Sequence, residues 1–218
     1  MKRNLHNTSS FFIFPSYFSA VRLIEIYDAV VAQGSTTFAE VIAVLEQTRT
    51  RYALIGGLAV NAYVEPVFTA DAEIVIALNE MDHFTEALLG RGYTVERYPF
   101  SLNFRKAGSD LSLQVSTDPV YQQFLDRAVK KSVLDVEANV ASLRDLVEGK
   151  IRAWSDPERR LSKRAKDQTD LYRIAEHYPE MIELLPEKLR KEVIEDRAAR
   201  RHRPGQDIAH FPRPQGDR

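Results

Sequence analysis

The chain of 218 residues has no cysteine, which excludes disulfides, thiolate metal sites and cysteine nucleophiles together. That fits a reducing compartment, and a cytoplasmic location is the expectation. A formal net charge of -1 gives no global attraction to nucleic acid or to an anionic membrane, so a polyanion would have to meet a local patch. No stretch approaches the roughly 20 apolar residues of a membrane span. The histidines, His83, His177 and His202 among them, are scattered without the spacing of a ligand set. What is present is ordinary for a globular protein, with 44% hydrophobic and 28% charged residues in a chain long enough to bury a sizeable core.

The first residues, "MKRNLHNTSSFFIFPSYFSAV", pair basic residues with aromatics, but Ser9, Ser10, Pro15 and Ser16 interrupt the apolar run. They read as a loosely ordered arm and not as a secretory signal. Val21, Ile24, Tyr27 and Val31 then follow helical spacing, with "QGS" as a stop. Thr36 or Thr37 is expected to cap a second helix through Val41, Val44 and Leu45, with Glu40 completing a capping box from Thr37.

Tyr52 to Ile55 reads as a short strand broken at Gly56 and Gly57, and "LAVNAY" as a turn or two of helix ended by Pro66. "AEIVIAL" reads as a buried strand, followed by a helix capped by Asn79 with Phe84, Leu88 and Leu89 on one face. "GYTVERY", "LNFRKAG" and "SDLSLQV" are three more short strands, the last alternating Asp110, Ser112 and Gln114 against Leu111, Leu113 and Val115. From Pro119 the pattern is helical almost to the end, with Ser142 capping "LRDLVEGKIRAW" and Pro186 opening a charged helix. The expected organisation is an arm over 1–18, an α+β domain over 19–118, a helical domain over 119–202 and a flexible tail over 203–218.

Chemistry concentrates around Tyr52 to Leu78. A Gly-Gly pair between strand and helix permits a sharp turn and close approach of a phosphate, although many such pairs serve only as tight turns. Asp71 and Glu73 are two apart, so on a strand both project to one side. They suit a hard cation with oxygen ligands, Mg²⁺ above all, or else form a hydrated strand end. On the later helix Lys163, Lys166, Asp167 and Asp170 share one face by their spacing of three and four, which also describes a salt-bridged solvated face. Arg159, Arg160, Lys163 and Arg164 form a basic cluster able to meet phosphates of a nucleotide or of RNA. Trp154 and Tyr172 read as core.

The blocks "IGGLAVNAY", "TADAEIVI", "SLQVSTDPVYQQFLDRAV", "VASLRDLVEGKIRAW" and "RRLSKRAKDQTDLYRI", in that order and spacing, resemble the nucleotidyltransferase superfamily in its AbiEii-type toxin and minimal branch. The resemblance implies a nucleotidyltransferase-like mixed sheet with flanking helices, followed by a C-terminal helical region. It implies transfer of a nucleotide from an NTP to a hydroxyl of RNA, protein or a small molecule, with Mg²⁺ as cofactor and a cognate antitoxin as partner. The alternative is a catalytically degenerate member that binds a nucleotide or a partner. Gly56 and Gly57 match the turn that cradles the triphosphate. Asp71 matches the first metal carboxylate, and Glu73 stands where the family usually has Asp. Lys166 and Asp167 take catalytic places near the nucleotide, while Lys150 and Lys163 are phosphate-facing. Ser112 occupies the position of the family's third carboxylate, for which Asp110, roughly 7 Å away along the strand, is the substitute. Val64 and Val67 also depart, standing where Gly and Arg are common.

Overall fold

The computed structural model describes residues 34–67 and 69–201. The arm, the helix expected around Val21 to Val31 and the tail lie outside the described residues.

Helix α1 is described over residues 34–47, and its buried Phe38, Val41, Ile42 and Leu45 repeat at helical spacing. The expected stop and capping box are corrected here, because Gly34 to Thr37 already lie inside the helix. With no helix end to cap, Thr37 Oγ1 donates to Ser109 Oγ at 2.7 Å. Glu40 instead accepts from Lys106 Nζ at 2.6 Å and from Tyr93 OH at 3.0 Å. The lysine's hydrogen bond outweighs burial and holds the Glu40 carboxyl below its usual range.

Strand β1 (Tyr52–Ile55) leads into the short helix α2 (Gly56–Val60), and β2 (Asp71–Ile76) returns antiparallel to β1. A 3₁₀ turn (Leu78–Glu80) precedes α3 (Met81–Leu89). Asn79 sits inside that turn, so the residue before α3 is Glu80 and no side chain caps it. Phe84 and Leu88 are buried while Leu89 is exposed. Strands β3 (Tyr93–Tyr98), β4 (Ser101–Lys106) and β5 (Ser112–Ser116) form an antiparallel meander, and β5 runs parallel to β2.

A 3₁₀ segment (Pro119–Arg127), capped by the Asp118 carboxylate, leads to a hairpin of β6 (Val129–Val133) and β7 (Val136–Val140). This corrects the helical expectation for the chain after Pro119. The hairpin escapes notice because its two-residue turn is Leu134–Asp135, both at positive φ, where Asn-Gly or Asp-Gly is the usual signal. β7 pairs parallel to β1 through Leu54 and Val140, closing a seven-stranded mixed sheet in the order β3-β4-β5-β2-β1-β7-β6. The rest is helical: α4 (Leu143–Ser155), α5 (Leu161–His177), a 3₁₀ turn (Pro179–Leu184) and α6 (Glu187–Arg201). Ser142 caps α4 as expected, its Oγ accepting from Asp145 N–H at 3.2 Å. The architecture is α+β.

Strand alternation separates the two faces of the sheet. Ala72, Ile74, Leu102, Phe104, Leu113 and Val115 are buried on one face, where Phe84 of α3 meets Phe104 edge-on with centroids 5.9 Å apart. Asp71, Glu73, Ser112 and Gln114 project from the other and are half-buried or exposed. α4 and α5 stand over the Glu73 end of that face and enclose a cleft.

Candidate active site

The cleft begins at the glycine turn. Gly56 has φ +72°, and a Cβ placed on it would lie 2.5 Å from Glu73 Oε2. Only glycine satisfies both demands, since the left-handed backbone disfavours a side chain and the carboxylate fills its space. Ile55 and Glu73 are register partners, which is what brings this carboxylate against the turn. Over Gly57 sits Lys166 of α5, whose Nζ would be 3.7 Å from a Cβ there and is 3.5 Å from Thr69 Oγ1. One turn earlier on α5, Lys163 Nζ is 3.7 Å from Asp71 Oδ2, and both side chains are roughly half-exposed. Gly56 and Glu73 line the cleft, Gly57 and Lys166 line a neighbouring pocket with Thr69 and Arg173, and Asp71 and Lys163 pair beside them.

Lys150 and Asp167 also line the cleft, but in a different state. Lys150 Nζ lies 2.9 Å from Asp167 Oδ1 and 2.7 Å from Asp170 Oδ2, with its side chain only 8% exposed. Burial alone would lower the lysine's pKa; the charges of Asp170 and Asp167 outweigh it and raise it. The second oxygen of Asp167 accepts from Arg159 Nε at 2.7 Å. Asp170 also takes Arg173 at 2.8 Å.

Asp110 is exposed and lies outside β5, two residues before Ser112, whose register partner is Asp71. Among the described residues no three histidine, aspartate or glutamate side chains converge as a metal-ligand set. The expectation that Asp110 joins Asp71 and Glu73 is thus corrected: the strand begins after it, and the register places Ser112 beside Asp71. What remains is a pair of half-buried carboxylates on one face. That pair fits a magnesium-type ion, which commonly takes one or two carboxylates and completes its shell with water and substrate phosphates.

The far wall was not foreseen. Tyr121 packs edge-on against Phe124 at 5.2 Å beside Gly149 of α4, where a Cβ would make an ordinary contact with Tyr121 at 3.6 Å, and Arg152 lies 5.5 Å from the Tyr121 ring centroid. Burial pushes the Tyr121 phenol up. Gln114 and Ser116 form the floor. The alternation of β5 was the available signal for these two, since it sets them on the face of Ser112. Trp154 and Tyr172 are partly buried against the core, as expected, and Gln168 bonds to both.

A strand, a glycine turn, two carboxylates on the next strand and lysines from a C-terminal helix define the arrangement. Residues 43–217 match the family described as "Nucleotidyl transferase AbiEii toxin, Type IV TA system". The chain belongs to this family. Its fold is also that of solved nucleotidyltransferases. The solution structure of the antibiotic-resistance factor ANT(2″)-Ia matches with a TM-score of 0.51 and 15% identity, over 77% of this chain and 95% of that one. The crystal structure of ANT(2″)-Ia with adenylyl-2″-tobramycin gives 0.51 and 14%, over 76% and 98%. An antigenic nucleotidyltransferase-like protein from Paracoccidioides brasiliensis gives 0.48 and 16%, over 78% and 89%. No curated protein matches. No helix among the described residues is long and apolar enough to cross a membrane.

Proposed function

We propose that this chain is a metal-dependent nucleotidyltransferase that moves a nucleotide from an NTP onto an acceptor hydroxyl. The observation that carries the reading is the Glu73 carboxylate set against Gly56 while Lys166 stands over Gly57. Carboxylate, open backbone and cation meet where a triphosphate would need all three.

In this reading Asp71 and Glu73 would hold a divalent cation of the magnesium type, which would supply polarisation of the α-phosphate. Lys163 and Lys166 face the phosphates, and their charge stabilises the pyrophosphate as it leaves. The contact of Lys163 with Asp71 is long, at 3.7 Å, and leaves that lysine able to turn to the phosphates. The acceptor oxygen bonds to the α-phosphorus, the bond to pyrophosphate breaks, and the hydroxyl proton passes to water. Asp167 and Lys150 serve this site by holding α4 and α5 in place. The acceptor belongs to the RNA, protein or small-molecule hydroxyls, and the family's toxin–antitoxin character supports a cognate antitoxin as partner.

The test incubates the purified chain with Mg²⁺, each labelled NTP in turn and a total cell extract. Wild type should transfer label, and Glu73→Gln should lose about a hundredfold or more. Nucleotide binding without transfer by any NTP would leave a binding protein on this fold. Neither binding nor transfer would end the proposal.

A further inference from the structure

The joint between α4 and α5 contains three cations, Lys150, Arg159 and Arg173, against two carboxylates, Asp167 and Asp170. Within the joint one positive charge is in excess, and Glu73, which also acts on Lys150, is a further carboxylate on the same cleft. Lys150 does not display the excess, because its ammonium is enclosed by both aspartates. Arg173 does not either: beyond Asp170 it donates to Asn61 Oδ1 at 3.1 Å and to the Glu65 carbonyl. Arg159 differs from both. Its side chain is 34% exposed, it lines the cleft with Gly56 and Glu73, and only its Nε is engaged, by Asp167. Among the described residues, nothing is hydrogen-bonded to its two terminal nitrogens.

We infer that Arg159 is a catalytic residue that binds the phosphates of the nucleotide, and that Asp167 is the positioning residue that aims it. The inference rests on the nucleotidyltransferase reading and adds a ligand to it. A guanidinium clamped at Nε by a buried carboxylate has lost much of its freedom before substrate arrives. Its outer edge retains N–H donors in the fork geometry that suits two phosphate oxygens. Ordering a free lysine on the same cleft would cost more side-chain entropy per bond formed. This division of labour also accounts for Asp167: with both oxygens taken by Lys150 and Arg159, it is an anchor for cations. Repulsion between its carboxylate and the phosphates is offset by those two charges.

Calorimetric titration of the full-length chain in Mg²⁺ tests this, with each NTP and with inorganic pyrophosphate as probes, for wild type, Arg159→Ala and Arg159→Lys. Arg159→Ala should weaken both probe classes by about tenfold or more, with a smaller drop in thermal midpoint than Lys150→Met, because Asp167 keeps Lys150. Arg159→Lys, which preserves charge but not the fork, should fall between. A parallel titration with the unphosphorylated nucleosides should show no change, locating the loss at the phosphates. If wild type binds and Arg159→Ala binds equally well, the inference is overturned while the nucleotidyltransferase reading stands. If wild type binds none of the probes, both are overturned.

Discussion

Two groups of charges meet at the cleft through Glu73 on one side and Lys150 with Asp167 on the other, and they are treated oppositely. Lys150, Asp167 and Asp170 are buried, and each is held by at least one partner at 2.7–2.9 Å. Asp71 and Glu73 are only half-buried on the facing strand, and the single ion pair between them and α5 is the 3.7 Å contact of Asp71 with Lys163. Saturated charges have no capacity left for a ligand and act as joints. Unsaturated ones, on a face that packing leaves open, are available for chemistry. The family's sequence blocks make both groups look alike; burial and partner count separate them.

That contrast breaks most visibly at Lys150. Lys150→Met leaves Asp170 with Arg173 and Asp167 with Arg159, but removes the central cation from two buried carboxylates. A loss of about 3–5 kcal/mol in denaturant unfolding follows. The pH dependence has a definite sign. The lysine's pKa is raised in the fold, so its stabilisation is complete below the unfolded value of about 10.4 and is lost as pH rises through the folded value. The gap between wild type and Lys150→Met should therefore narrow as pH rises into the alkaline range. A gap constant to the alkaline limit would mean that the ammonium is not the stabilising group.

Much of this was legible from the residues. Alternation in "SDLSLQV" gave β5 and its polar face, Ser142 announced α4, and the spacing of Asp71 and Glu73 placed both on one side of β2. The hairpin β6–β7 was not legible, because Leu134–Asp135 lacks the usual Asn-Gly or Asp-Gly pair and β6 carries Lys130 and Lys131, the first exposed at a sheet edge and the second over the Tyr63 ring. Nor was the state of Lys150. Sequence places a lysine and two aspartates on neighbouring helices; only the packing of α4 against α5 decides whether the lysine meets phosphate or carboxylate. Tyr121 reached the cleft for the same reason: its block carries the resemblance, but only the tertiary placement of the 3₁₀ segment brings the ring to the cleft.

A medium effect is expected at the turn between the two groups. Gly56→Ala forces a side chain into left-handed backbone, at roughly 1–2 kcal/mol, and drives its Cβ against Glu73 Oε2. Glu73 must move, so nucleotide transfer should fall with a modest drop in the unfolding midpoint. Gly57→Ala is the stability control one residue away: its Cβ would meet Lys166 at 3.7 Å, an ordinary contact, and its unfolding midpoint should match that of wild type. Equal losses in the two variants would show that the turn tolerates no side chain at either position and that Glu73 has no special relation to Gly56.

The smallest effect on stability belongs to Asp71, and that smallness is itself informative. Asp71→Asn gives up only the long, half-exposed contact with Lys163, worth less than about 1 kcal/mol, and keeps shape and volume on β2. Its unfolding curve should overlay that of wild type, while Mg²⁺-dependent transfer falls by about a hundredfold or more. Measured beside Lys150→Met, the pair should dissociate: one variant loses the fold's margin and the other loses chemistry alone. If Asp71→Asn instead lost several kcal/mol, the carboxylate would be a structural joint like Asp167, and the division between saturated and open charges would fail at the residue on which the metal reading most depends.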